Sequence, residues 1–217
     1  MKLTIVAATG GIGRHLLEQA LAAGHEVTAV VRHPGRLAVP VRALAADLGA
    51  PDPALLASAV AGVGAVLSGL GPRNRAEDGI ASAGTRAVIT AMEATGVRRL
   101  VAVSVAGITT RPGRQPGPDP GAGWFTRTVL ARLARARLHE DYADTARMHQ
   151  LLRHSDLDWT TVGCPLLTGQ PPTGRYRTAC KQSVHGGRRI GRADAAAHML
   201  HTLDTPETIR HHMAIAY

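Results

Sequence analysis

Apolar positions along this chain fall into two kinds of run, and the two kinds alternate from end to end. Short continuous runs at 3–6, 26–31, 41–46, 65–70, 99–103, 157–162 and 213–216 read as strands buried on both faces. Between them lie longer stretches whose apolar residues recur at helical spacing, as in Ile80, Ala83, Ala87, Val88, Ala91 and Met92. These predict helices from Arg14 through Leu21, and at 53–61, 80–95, 124–138, 140–154 and 194–203. Gly24, Gly62 and Gly96 stand where the first three of these should end. Residues 174–190 carry short strand signals, and 109–123, rich in Pro, Gly and Arg, predict a loop that could act as a flap over a substrate. The alternation predicts an α/β chain, a doubly wound parallel sheet with helices on both faces. The 217 residues suit one domain, with a small substrate-side lobe built from about 108–145 and 164–192.

The first strand, turn and helix carry the clearest chemistry. The strand stops at Thr9-Gly10-Gly11-Ile12-Gly13, and helix-forming residues begin at once. A glycine turn opening a helix presents backbone N–H groups and the positive end of the helix dipole, which together suit the pyrophosphate of a dinucleotide. The alternative is a glycine turn that only packs helix on strand. At the end of the second strand, NAD-preferring folds carry Asp or Glu for the ribose 2′-hydroxyl. Here that place holds Arg32, with Arg36 close behind. Guanidinium forks suit phosphate oxygens, so the pair points to the 2′-phosphate of NADP(H). Asp47, after the next apolar run, either reaches the adenine or caps the helix that follows. The loop Leu70-Gly71-Pro72-Arg73 ends the fourth strand and should wall the same site.

Composition narrows the partners. A formal charge of +9 attracts anions, but no helix-turn-helix or zinc-finger spacing is present and aromatics are 3%, so nucleic acid is not an expected partner. No apolar run is long enough to span a membrane, and Met1-Lys2-Leu3 leads into a strand rather than a signal peptide. Cys164 and Cys180 lack metal spacing and read as free thiols of a cytoplasmic protein, with a single disulfide the alternative.

The runs from Val6 to Gly10 and Val30 to Arg32, with Val66 to Gly71, Ser82 to Arg86, Val101 to Ser104 and Arg147 to Arg153, resemble the atypical short-chain dehydrogenases/reductases. Within that family the chain is similar to the NmrA-like proteins and to the flavin (biliverdin) reductase branch. The resemblance implies a Rossmann-like fold. It also implies NADPH contacts at Ala7, Thr9, Gly10, Gly11, Ile12, Arg32, Gly35, Arg36, Asp47, Leu48, Leu70, Gly71 and Arg73. Ser104, Val105, Cys164, Pro165 and Leu166 would flank the nicotinamide. This chain departs from the family at Ala7, where the first glycine is usual, and at Val105 and Leu166, where the branch carries serine and histidine. Cys164 also replaces the arginine or proline common before this proline.

No Tyr-x-x-x-Lys pair occurs, since Ala146 follows Tyr142 at that spacing. Carbonyl reduction by a lysine-assisted tyrosine is therefore disfavoured. An electrophilic ring needs less help. The candidate catalytic residues are Ser104 at a strand end, with Tyr142 and His149 on a bordering helix; packing roles are the alternatives for each. Cys164 is a pocket thiol or a small buried hydrophobe, and Trp124 and Phe125 stack on a planar substrate or pack in the core. His198, His201, His211 and His212 lack further ligands for a metal site. The reading is an NADPH-dependent reductase of a flavin, quinone or similar small planar acceptor, acting as a monomer or homodimer. A non-catalytic NADP(H) sensor and a secondary-metabolism reductase, dehydratase or isomerase are the alternatives.

Overall fold

The computed structural model describes residues 1–72, 74, 77–107 and 131–217, with the backbone alone for 131–141. In chain order it runs β1 (Lys2–Val6), α1 (Gly13–Ala22), β2 (Glu26–Val31), β3 (Arg42–Ala45), α2 (Pro53–Val60), β4 (Ala65–Ser68), α3 (Ile80–Thr95) and β5 (Arg99–Val105). There follow α4 (Ala131–His154), β6 (Asp158–Cys164), β7 (Leu166–Thr168), β8 (Arg177–Cys180), β9 (Arg189–Gly191), α5 (Arg192–His201) and β10 (His211–Ala216). Eight strands form one sheet in the order β3-β2-β1-β4-β5-β6-β10-β8, while β7 and β9 pair separately.

Alternate residues of the strands feed two cores. Ile5, Leu67, Val101, Val162 and Ile215 pack with Leu16 and Leu17 of α1 and Met199 of α5. Val6, Val30, Val66 and Leu100 pack with Leu56 of α2, Val88 and Met92 of α3, and Met148 and Leu152 of α4. Both faces are thus covered, and the continuous apolar runs follow from that. The fold is the expected Rossmann-like α/β arrangement.

Four features differ from the sequence expectation. First, the helices expected at 124–138 and 140–154 are, over the described residues, one helix, α4. No glycine or proline interrupts 131–154, so nothing in the sequence there stops the helix. Second, β8 runs antiparallel to β10 at the sheet edge, although every other pair in the sheet is parallel. Third, β5 and β6 run two residues beyond their expected ends, so Ser104 and Cys164 are paired sheet residues rather than loop residues. Fourth, β7 was not expected. Residues 108–130, all of the expected flap and part of the lobe, and with them Trp124 and Phe125, lie outside the described residues. No helix among the described residues is long and apolar enough to cross a membrane.

Candidate functional site

The strand order reverses between β1 and β4, and a cleft of about 270 Å³ opens at their carboxyl ends. Its floor is the β1–α1 turn, Ala7 and Thr9 to Ile12. Ala7 takes a left-handed φ of 58°, where glycine is the unstrained choice. The Gly10 N–H donates to the Ala7 carbonyl at 2.8 Å and closes the turn. Gly13 then packs directly on that carbonyl, which any Cβ at 13 would overlap. A Cβ on Gly69 of the β4 loop would stand 3.0 Å from the Gly13 nitrogen. The glycines therefore bring three backbone segments into contact. Ile12 occupies the N-cap of α1; the Arg14 N–H donates to the Gly10 carbonyl at 3.0 Å, and among the described residues no side chain caps the helix, so an anion can take the remaining first-turn N–H groups.

One wall of the cleft comes from the ends of β2 and β3: Val30, Val31, Arg32, Ala46, Asp47 and Leu48. The opposite wall is Gly69 to Pro72, Glu77 and Ile80. Val103, Leu167 and Arg192 close the far end. Asp47 does not cap α2. Its carboxylate accepts from the Gly49 N–H at 3.0 Å, and Asp52 is the cap, accepting from the Ala54 N–H at 2.9 Å. Gly35 and Arg36 sit in a single exposed 3-10 turn, Pro34–Arg36, outside the walls of the cleft. Arg73 lies outside the described residues.

Three features of this cleft were not read from the sequence. Arg32 is engaged by the Glu77 carboxylate at 2.6 Å. Arg192, the first residue of α5, lays its side chain across the glycine turn; a Cβ on Gly11 would stand 2.8 Å from its Nε. Among the described residues the Arg192 side chain forms no hydrogen bond or ion pair. Leu167 reaches the cleft from β7. Glu77 and Arg192 come from elements far from the turn in sequence, and no local pattern marks either one.

The candidate catalytic residues form a separate buried group. Ser104 Oγ lies 2.7 Å from His149 Nε2, under α4. The His149 ring meets that of His212 edge-on at 5.3 Å, and His212 Nδ1 bonds to Thr161 Oγ1 at 2.9 Å. Gly163 makes room for His212, whose Cε1 any Cβ there would overlap. Burial, with the neighbouring His212 and Arg153, holds the His149 pKa down to about 3, so the ring is neutral near pH 7. His149 Nδ1 has no hydrogen-bond partner among the described residues. A buried bare acceptor is commoner than an orphaned N–H, which favours the tautomer in which Nε2–H donates to Ser104 Oγ. That leaves the Ser104 proton available to another acceptor. None of Ser104, His149, Cys164 and Pro165 lines the cleft. Tyr142 is half-buried two turns before His149, with its pKa raised by burial. The Cys164 thiol is buried, donates to the Val162 carbonyl at 3.7 Å, and is pushed up to about 12 by desolvation. It is a packed hydrophobe rather than a reactive thiolate. Both described cysteines are free. Among the described residues no group of three His, Cys, Asp or Glu is placed to hold a metal ion.

A family profile described as NAD(P)H-binding matches residues 7–206. Among solved structures, a Burkholderia pseudomallei protein described as exported is 30% identical, with a TM-score of 0.78 and full coverage of both chains. A Streptococcus pneumoniae protein described as an NADH-flavin reductase is 22% identical, with a TM-score of 0.77, over 100% of this chain and 99% of that one. An anaerobillin reductase from Escherichia coli O157:H7 is 23% identical, with a TM-score of 0.76, over 100% and 97%. At that identity the two reductases match in fold.

Proposed function

The chain belongs to the NAD(P)H-binding family, and from that premise we propose that it is an NADPH-dependent reductase of a flavin, quinone or similar planar acceptor. The observation that carries the reading is the cleft at the strand switch point, with Arg32 in its wall at the end of β2. The cleft suits the coenzyme. The uncapped start of α1 and the Arg192 guanidinium would hold the pyrophosphate. Ala46, Leu48 and Ile80 offer adenine an apolar wall, and Arg32, helped by Arg36, would take the 2′-phosphate. When bound, the coenzyme supplies a hydride.

The chain's own part in the chemistry is mainly to orient and to exclude water. No Tyr, His or Lys stands in the described walls of the cleft, and a planar ring that takes its proton from solvent needs none. Leu167 of β7 and Val103 of β5, at the far end of the cleft, provide apolar surface for such a ring. Ser104, bonded to His149, lies outside the described walls of the cleft and takes no part in this reading.

The test is turnover of purified protein with NADPH and with NADH against FMN, riboflavin, biliverdin and quinones, followed at the reduced-nicotinamide absorbance band. Turnover with at least one acceptor is expected. Tight NADPH binding without turnover of any acceptor would replace this reading with that of a coenzyme sensor. Replacing Arg32 and Arg36 together with Ala is expected to weaken NADPH binding at least tenfold and to leave NADH binding within a fewfold, by loss of charge-assisted phosphate contacts.

A further inference from the structure

The position that decides coenzyme choice in this fold holds both an arginine and a carboxylate. Arg32 follows β2, where an acidic residue would bind the 2′-hydroxyl of NAD. Glu77 reaches the same point from the opposite wall and meets Arg32 Nη2 at 2.6 Å. The Glu77 side chain is 16% exposed and that of Arg32 38%, so the carboxylate sits deeper in the cleft than its partner.

We infer that Glu77 is a coenzyme selector that competes with the 2′-phosphate for Arg32 and offers a substitute acceptor to an unphosphorylated ribose. With NADPH, a phosphate of nearly two negative charges enters beside a carboxylate. Either Glu77 swings off the guanidinium or the two anions share it at close range, and both outcomes oppose binding. With NADH, the 2′-hydroxyl donates to the Glu77 carboxylate, and Arg32 stays paired. One side chain therefore acts with opposite sign on the two coenzymes. A partly exposed ion pair is weak enough to open, so Glu77 lowers the preference for NADPH without abolishing it. The inference rests on the nicotinamide-coenzyme reading and adds a residue that sets its selectivity.

The experiment measures dissociation constants of NADPH and NADH for wild type, Glu77→Gln and Glu77→Asp, by titrating the fluorescence of the bound reduced nicotinamide. Gln keeps the shape and removes the charge. It is expected to tighten NADPH and weaken NADH, shifting their affinity ratio toward NADPH by about tenfold, equivalent to about 1.4 kcal/mol. Asp keeps the charge but withdraws it from Arg32, and is expected to shift the ratio in the same direction by a smaller factor. It also carries the test if the Gln variant does not fold. An unchanged ratio, or equal weakening of both coenzymes, would show that Glu77 merely orients Arg32 and would overturn the inference while leaving the coenzyme reading intact. Failure of wild type to bind either coenzyme would overturn both.

Discussion

At the residue scale, the glycine turn separates two kinds of requirement that look alike in sequence. A Cβ at Gly13 would run into the Ala7 carbonyl, which is fixed by the turn, and into the neighbouring backbone of Ala8. At Gly11 the obstacle is only the far end of the Arg192 side chain. Gly13→Ala is therefore expected to cost about 2 kcal/mol or more of stability through backbone overpacking. Gly11→Ala should cost less than about 1 kcal/mol, because a flexible side chain can move aside. Displacing Arg192 should nonetheless weaken both coenzymes alike. Denaturant unfolding and coenzyme titration of the two variants check the contrast. Thr9 to Ile12, Leu70 and Gly71 are expected beside the cleft because strand ends and glycine turns are local signals, while Leu48 is expected only through the family resemblance and Asp47 through that resemblance or as a helix cap; all of them line the cleft. Glu77 and Arg192 are not. Their places depend on where α5 and the loop before α3 come to rest, which tertiary packing decides.

At the scale of elements, the bounds of β2 and α3 follow from short-range pattern, but how α3 begins does not. Gly79 precedes α3 with a φ of 84° and offers no capping side chain. The cap comes instead from another helix: the Asp144 carboxylate of α4 accepts from the Ala81 N–H at 2.9 Å and from the Ser82 N–H at 3.2 Å. Asp144 is buried, so its charge is balanced by the α3 dipole and these two donors rather than by water. A window of sequence cannot reveal a cap that lies 63 positions downstream. Asp144→Ala is expected to destabilise the protein by about 2 kcal/mol, as for a helix cap lost together with its buried acceptor. It should also raise amide exchange in the first turn of α3 ahead of the sheet, a pattern that hydrogen-exchange mass spectrometry would resolve. The same pair of helices carries His149 to Ser104, so the loss of this cap should loosen that contact as well.

At the scale of the whole molecule, two of the buried imidazoles, His149 and His198, make the fold sensitive to acid. His149 and His198 are each almost fully buried. Desolvation holds His198 down to about 4, with a further push from His201, and among the described residues neither of its ring nitrogens has a hydrogen-bond partner. His149 is held lower still, at about 3. Unfolded, both titrate at the ordinary value of about 6.5. Between that value and the folded ones, the unfolded chain binds protons that the folded chain cannot, so stability falls as pH falls. Above pH 7 neither group contributes a slope. Each histidine supplies up to about 1.4 kcal/mol per pH unit, and near pH 5 the two together imply uptake of roughly two protons on unfolding. Asp194 acts on the same side. Its burial raises its pKa, but hydrogen bonds from Tyr217, Gly174 and Thr173 outweigh that and depress it, so its contribution is lost only at lower pH. The ring of Tyr176 meets His198 edge-on at 5.5 Å, leaving space shaped for an aromatic side chain. His198→Phe should therefore keep the fold and roughly halve the pH slope of the unfolding free energy between about pH 6 and 5. A slope unchanged from wild type in that window would place the acid sensitivity on other groups.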